Sequence, residues 1–222
     1  MKFPGRHFPK DVILTTVRWY LRYKLSYRDV EELIGERGLK VDHSTVNRWV
    51  IKYAPLLAAV ARRRKRAVGL SWRLDETYIK VAGGWKYYYR AVDKEGNTID
   101  FLLTAKRDNR TAFRFLRQAI RNNCTPVKIN IDKSGSNTSA IKAYNDEAGT
   151  NIEIRQCKYL NNIVEQSHRP VKLKTRAALG FKAFHSAHAT LQGVEVVQMI
   201  RKGQVRPVSE GSFIDQFNRL AA

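Results

Sequence analysis

Leu70-Ser71-Trp72-Arg73-Leu74-Asp75-Glu76-Thr77-Tyr78-Ile79-Lys80-Val81 runs into Ala82-Gly83-Gly84 and then into Trp85-Lys86-Tyr87-Tyr88-Tyr89-Arg90-Ala91-Val92. Both flanks are rich in aromatic and β-branched residues, and the glycines between them permit a tight reversal. The stretch therefore predicts two hairpin-connected strands. Lys94-Glu95-Gly96-Asn97 supplies a second turn, which leads to a third strand over residues 98–105. Downstream the pattern alternates: a helix over 110–121, a strand over 127–131, a helix around 139–146 and a strand over 152–157. Helical segments fill much of the remainder.

Three hairpin-connected strands followed by alternating helices and strands predict an α/β fold. The expected core, residues 70–180, is RNase H-like, of the retroviral integrase type, with a C-terminal helical segment over 181–222. Ahead of it lies an all-α module, residues 1–61. Ile13, Val17, Tyr20 and Leu21 share one helical face, and Val30, Leu33 and Ile34 mark a second short helix. A third opens at Asp42-His43-Ser44-Thr45, where either Asp42 or Ser44 suits the N-cap. Its apolar stripe is Val46, Trp49, Val50 and Tyr53, with Pro55 shortly after. Thr45, Arg48 and Lys52 fall on the other face. Such a layout fits a helix-turn-helix whose polar N-terminal face enters a major groove. It equally fits a small three-helix bundle with a solvated charged face. Residues 62–69 form a basic linker that contains Arg62-Arg63-Arg64-Lys65-Arg66; a solvated link and a phosphate-tracking segment both account for it.

The chain has 222 residues, 43% of them apolar, which is ordinary globular usage. Its charge is not ordinary. Forty-one Lys and Arg stand against 20 Asp and Glu, a formal +21, which favours a polyanionic partner. Cys124 and Cys157 belong to no CxxC pair, so neither a disulfide framework nor a zinc finger is supported. No apolar run approaches a bilayer span, and a cytoplasmic, nucleoid-associated protein is expected, with no membrane partner.

Three carboxylates stand out. Asp75 lies inside an otherwise apolar strand, where burial is costly without a cation or hydrogen-bond partner. Asp132 ends Val127-Lys128-Ile129-Asn130-Ile131-Asp132, where the chain leaves the sheet. Glu165 follows Asn161-Asn162-Ile163-Val164, near the start of a helix. Singly, each has a plain reading as a turn cap or a helix-dipole complement. Converging, they would form a hard oxygen site for Mg2+ or Mn2+, two ions per site, competent in phosphoryl transfer. His168, Arg169 and Lys172 follow Glu165 on the same helical face, interrupted by Pro170. They suit phosphate contact or a basic solvated face, which Lys174 and Arg176 extend. Lys133-Ser134-Gly135-Ser136-Asn137 suits either phosphate binding or turn chemistry. His185 and His188 lack a third ligand nearby.

The whole set resembles the DDE transposases of the IS-six group of insertion sequences over nearly the full chain. The resemblance rests on Gly5-Arg6-His7-Phe8, Val17-Arg18-Trp19-Tyr20, Ser26-Tyr27-Arg28-Asp29-Val30 and Asp42-His43-Ser44-Thr45-Val46-Asn47-Arg48-Trp49. In the core it rests on Leu74-Asp75-Glu76-Thr77-Tyr78-Ile79-Lys80-Val81, Tyr89-Arg90-Ala91-Val92-Asp93, Ile131-Asp132-Lys133 and Tyr159-Leu160-Asn161-Asn162-Ile163-Val164-Glu165. Leu179-Gly180-Phe181-Lys182 and Met199-Ile200-Arg201-Lys202-Gly203-Gln204 complete it. The resemblance implies that Asp75, Asp132 and Glu165 are the catalytic, metal-binding triad and that Lys172 is an accessory basic residue. The expected reaction is cleavage and strand transfer on double-stranded DNA, at terminal inverted repeats and a target, by at least a homodimer. Ser44, Thr45, Asn47, Arg48, Lys52, Arg169 and Lys172 are the expected DNA contacts. Two rival functions fit the charge and fold alone: a non-enzymatic DNA-binding regulator, and a nuclease that cleaves without joining.

Overall fold

The computed structural model describes residues 7–132, 135–206 and 211–222. Helix α1 (Lys10–Arg22) buries Ile13, Leu14, Val17, Tyr20 and Leu21 along one stripe. Helix α2 (Tyr27–Gly35) opens on a reciprocal cap: Asp29 N–H donates to Ser26 Oγ, and Ser26 N–H donates to Asp29 Oδ2. Helix α3 (His43–Arg63) is capped by Asp42, which accepts from Ser44 N–H at 2.8 Å, so the choice between the two candidate caps falls to Asp42. Pro55 does not end α3. It forfeits one backbone bond, but Leu57, Ala58 and Ala61 beyond it are buried, and that burial carries the helix onward.

Strands β1 (Ser71–Val81), β2 (Gly84–Asp93) and β3 (Thr98–Thr104) follow as two hairpins. The first reverses at Ala82-Gly83, both with positive φ, the turn class whose twist matches the flanking strands. At the second, Asp93 Oδ1 accepts from the backbone N–H groups of Glu95 and Asn97. Helix α4 (Asn109–Asn122), strand β4 (Lys128–Ile131), helix α5 (Gly135–Ala148) and strand β5 (Glu153–Gln156) complete the alternation. The sheet order is β3-β2-β1-β4-β5. β1–β2 and β2–β3 are antiparallel, while β1–β4 and β4–β5 are parallel. This is the RNase H-like arrangement that the sequence pattern predicts. Trp72, Leu74, Tyr89, Ala91, Ile129 and Ile131 build a core with Phe115, Leu116 and Ile141 from α4 and α5.

Beyond a single 3-10 turn come α6 (Asn162–Ala177), α7 (Phe184–Arg201) and α8 (Phe213–Arg219). The chain divides into a helical unit, Met1–Arg66 with Val171–Ala222, and an α/β unit, Ala67–Pro170. The sequence set residues 181–222 apart as their own segment; in the structure α7 packs along α3 and α1 within the helical unit. Gly193 allows this approach. A Cβ there would lie 2.5 Å from Leu21 Cδ1 and 2.9 Å from Ala54 Cβ. The basic stretch expected as a linker is pinned in the same unit, where Lys65 bridges Val205 and Arg66 N–H donates to Gln204 O at 2.8 Å. Among the described residues, no helix is long and apolar enough to cross a membrane.

Candidate active site

Side chains alternate across a strand, so Trp72 and Leu74 of β1 face the core under α4 and α5 while Arg73, Asp75 and Thr77 face the other side. The β1–β4 register pairs Arg73 with Asn130. Two steps further on, Asp75 is level with Asp132, the first residue after β4. Both aspartates thus leave one sheet face at neighbouring strand positions, because the parallel register and the strand period place them there.

Helix α6 is anchored on that same face of the α/β unit. Asn130 Nδ2 donates to Asn161 Oδ1 at 2.6 Å and to Cys157 O at 2.9 Å. Arg90, paired with Asp75 across β1–β2, is fully buried. Its guanidinium donates to Ser167 O at 3.0 Å and to Thr98 Oγ1 at 3.0 Å. His168 is 1% exposed, and its Nε2 lies 3.2 Å from Asp75 Oδ2. The Tyr88 ring meets His168 edge-on. The sequence grouped His168 with phosphate-facing cations, and here the structure corrects it. The buried stripe of α6 is Val164, His168 and Val171, so His168 turns inward to Asp75 while Glu165 and Arg169 beside it are exposed.

Glu165 stands in the first turn of α6, one turn before the histidine that contacts Asp75. Among the described residues, one set of three potential ligand side chains closes to within 4.8 Å: Glu31, Asp42 and His43. Asp75, Asp132 and Glu165 are not such a set. The Glu31 group has a bland explanation, since His43 Nδ1 and N–H both bond Glu31 Oε2, at 2.9 and 3.2 Å, clasping α2 to the start of α3.

Glu76 was not singled out by sequence, although the argument applied to Asp75, a carboxylate inside a strand, applies to it as well. Its side chain is 4% exposed and forms an ion pair with Arg107, and it accepts from Asn137 Nδ2 at 3.1 Å. Burial raises its pKa, and the negative charges of Asp132 and Asp75 add to the rise; Arg107 and Asn137 oppose it. The charges of Asp75 and Asp132 thus reach Glu76 midway along β1. Hard oxygen donors of this kind fit a divalent cation, which Asp75 and Asp132 could hold directly.

Of the other expected contacts, Ser44, Arg48 and Lys52 are exposed on α3, and Thr45 and Asn47 are half-buried. Arg48 Nη2 donates to Thr45 Oγ1 at 2.8 Å. Lys172 is exposed on α6 but belongs to the helical unit. Gly5, Arg6, Lys133 and Ser134 lie outside the described residues, while Gly135 to Asn137 open α5. His185 is exposed against Ser186 and His188 is half-buried, its pKa lowered by burial and by Arg62. Cys124 and Cys157 are free thiols.

Residues 69–204 match the model of a family described as a DDE domain. The Staphylococcus aureus (strain Mu50) transposase for insertion sequence-like element IS431mec is 42% identical over 205 residues, spanning 90% of this chain and 88% of that one. The S. aureus transposase for insertion sequence element IS257 in transposon Tn4003 is 41% identical with the same coverage. Among solved structures, the catalytic core domain of BIV integrase aligns with a TM-score of 0.46 at 17% identity, covering 60% of this chain and 85% of that one. The HTLV-2 integrase catalytic core in complex with magnesium gives 0.42 at 14% identity, covering 71% and 85%. With a DDE domain across more than half its length and 42% identity across 90% of it, the chain belongs to the DDE transposases of the IS-six family of insertion sequences.

Proposed function

We propose that this transposase binds the terminal inverted repeats of its element, cleaves there and joins the freed ends to target DNA, with Asp75, Asp132 and Glu165 as its catalytic carboxylates. The observation that carries the reading is the register: Arg73 pairs with Asn130, Asp75 and Asp132 each follow two residues on, and the helix that bears Glu165 is tied to the same sheet face through His168 and Arg90. The family acts on DNA and depends on divalent metal; here Mg2+ or Mn2+, as two ions, is the proposed occupant. Bound ions would supply Lewis-acid stabilisation of charge on the attacking and leaving oxygens.

The chain's own residues do the rest. Asp75 and Asp132 would hold the ions, with His168 fixing the Asp75 side chain and Glu165 completing the ligand set from α6. Water hydrolyses a phosphodiester at each element end, leaving a 3′ hydroxyl. That hydroxyl attacks a target phosphodiester in line, and a 3′ oxygen of the target leaves with the proton lost by the nucleophile. Arg169 and Lys172 hold phosphates. The α2–α3 helix-turn-helix reads the repeat through Ser44, Thr45, Asn47, Arg48 and Lys52 in the major groove. Joining two ends calls for at least a dimer on DNA.

The test is strand transfer from a repeat-bearing duplex into plasmid DNA, with Mg2+ or Mn2+. Asp75→Asn, Asp132→Asn and Glu165→Gln should each abolish joining while retaining end binding. Parental joining by any one of them removes that residue from the site, and cleavage without joining by the parent chain makes it a nuclease.

A further inference from the structure

Strands β1 and β2 outrun their neighbours. β3 ends at Thr104, opposite Tyr87, and β4 pairs with β1 only from Ser71 to Arg73. Trp85 and Lys86 therefore pair with β1 alone, as the end of a two-stranded arm. Its two faces differ sharply. Ile79 and Val81 are buried on one. On the other, strand alternation gathers Tyr78, Lys80, Trp85 and Tyr87, with Lys80 directly across from Trp85 and Tyr78 across from Tyr87. Trp85 is 63% exposed and Tyr78 is 50% exposed. The Tyr78 ring meets Trp85 edge-on at 6.4 Å and Tyr87 at 5.3 Å. Lys80 is exposed as well. The carboxylate further along this face, Glu76, is buried against Arg107.

A large exposed indole and phenol are costly to leave in water unless a flat partner covers them. Arg107 is engaged by Glu76, and the charge beside the rings is the exposed ammonium of Lys80, which selects a polyanion over an apolar protein surface. Aromatic rings interleaved with lysine and arginine are the physical recipe for an unstacked nucleotide, base on ring and phosphate on cation. A paired duplex offers only base edges and backbone, so it cannot use the ring faces. Tyr78 is three residues along β1 from Asp75, about 10 Å at strand rise, and so on the opposite face of the strand; DNA on the platform lies across the arm from that carboxylate.

We infer that the Tyr78–Trp85–Tyr87 face of the β1–β2 arm is a stacking platform for an unpaired nucleotide of the bound DNA. This rests on the reading of the chain as a DNA-end-joining enzyme. The test compares the parent with Trp85→Ala, Trp85→Phe and Lys80→Glu in the full chain. The probes are an element-end duplex with two unpaired terminal nucleotides, one of them 2-aminopurine, and its fully paired counterpart. Trp85→Ala should weaken binding of the frayed probe about 5- to 100-fold and of the paired probe less than about twofold, abolishing the 2-aminopurine quench. Trp85→Phe should keep most of the quench, and Lys80→Glu should weaken the frayed probe too. Equal weakening on both probes overturns the platform, and so does unchanged binding. A shift in sedimentation with DNA binding intact would assign the face to a second copy of the chain instead. Asp75→Asn in parallel separates the two ideas: it should bind and quench like the parent yet join nothing, and normal joining by it would sink the enzymatic assignment while leaving the platform standing.

Discussion

Replacing Arg90 by methionine should loosen the α/β unit and weaken catalysis together. The guanidinium is fully buried and donates to Ser167 O of α6 and to Thr98 Oγ1, each at 3.0 Å. Hydrogen bonds from a charged donor contribute about 1.5–3 kcal/mol each, so their gross loss is about 3–6 kcal/mol. Methionine fills most of the volume and spares the cost of burying a charge, which offsets part of that loss. A net destabilisation of about 3 kcal/mol follows, and at about 2–4 °C per kcal/mol for a chain of this size the melting temperature should drop about 6–12 °C. Because the Ser167 bond ties α6 beside Glu165 and His168, strand transfer at a temperature where the variant is folded should fall as well, with more metal needed for half-maximal rate. Arg90→Lys should lie between the two. Calorimetry and a metal-titrated joining assay read both effects. A methionine variant that melts within 2 °C of the parent (roughly half a kcal/mol) and joins within about twofold would refute the anchoring role.

His168→Phe fills the ring's volume but loses Nε2 beside Asp75; joining should fall about 10- to 100-fold with a raised metal requirement, the usual effect of removing a group that orients a metal ligand. Parental metal dependence would show that the contact is only packing. Gly193→Ala gains about 1 kcal/mol of helix propensity but overpacks Leu21 and Ala54 by about 1–3 kcal/mol. A net loss near 1 kcal/mol should lower the melting temperature by about 2–4 °C, and a rise would mean that Leu21 simply turns aside. Lys174 is buried, with Nζ 2.7 Å from Leu25 O and over the Tyr20 ring. Burial pushes its amine down to about 7, with Asp29 opposing. Its folded pKa lies below the ordinary 10.5, so the unfolded chain binds more protons between the two and stability should climb as pH rises from about 7 to 10.5. Lys174→Met should flatten that slope in denaturant titrations; an unchanged slope would assign it to other groups.

Most of the sheet could be read from sequence because its signals are local. The β1 and β2 flanks, their glycine turn and the Asp93–Gly96 reversal need only neighbouring residues, and Asp75 and Asp132 were visible as charges at strand positions. What stayed hidden depends on partners far along the chain. On α6 the buried stripe contains His168 and Lys174, polar types that disguise an inward face, so both were read as part of a basic surface. Arg90 and Glu76 looked like ordinary strand polarity until the Ser167, Arg107 and Asn137 partners appeared. The packing of α7 on α3 left no local trace beyond one glycine. At Pro55 the local cost of a proline is visible in the sequence, and the distant burial that carries α3 past it is not.

The helical unit is discontinuous in the chain, with residues 67–170 interposed between its two parts. During synthesis from the N-terminus, α1 and α3 would emerge long before α7 exists to cover them, whereas the interposed segment has all its own strands and helices at hand. The nascent chain would thus complete its sheet first and hold the buried face of α3 uncovered until α7 is made. A ribosome halted before α7 would release a fragment with a finished sheet and sticky, unsheltered leading helices, a natural substrate for chaperones and proteases.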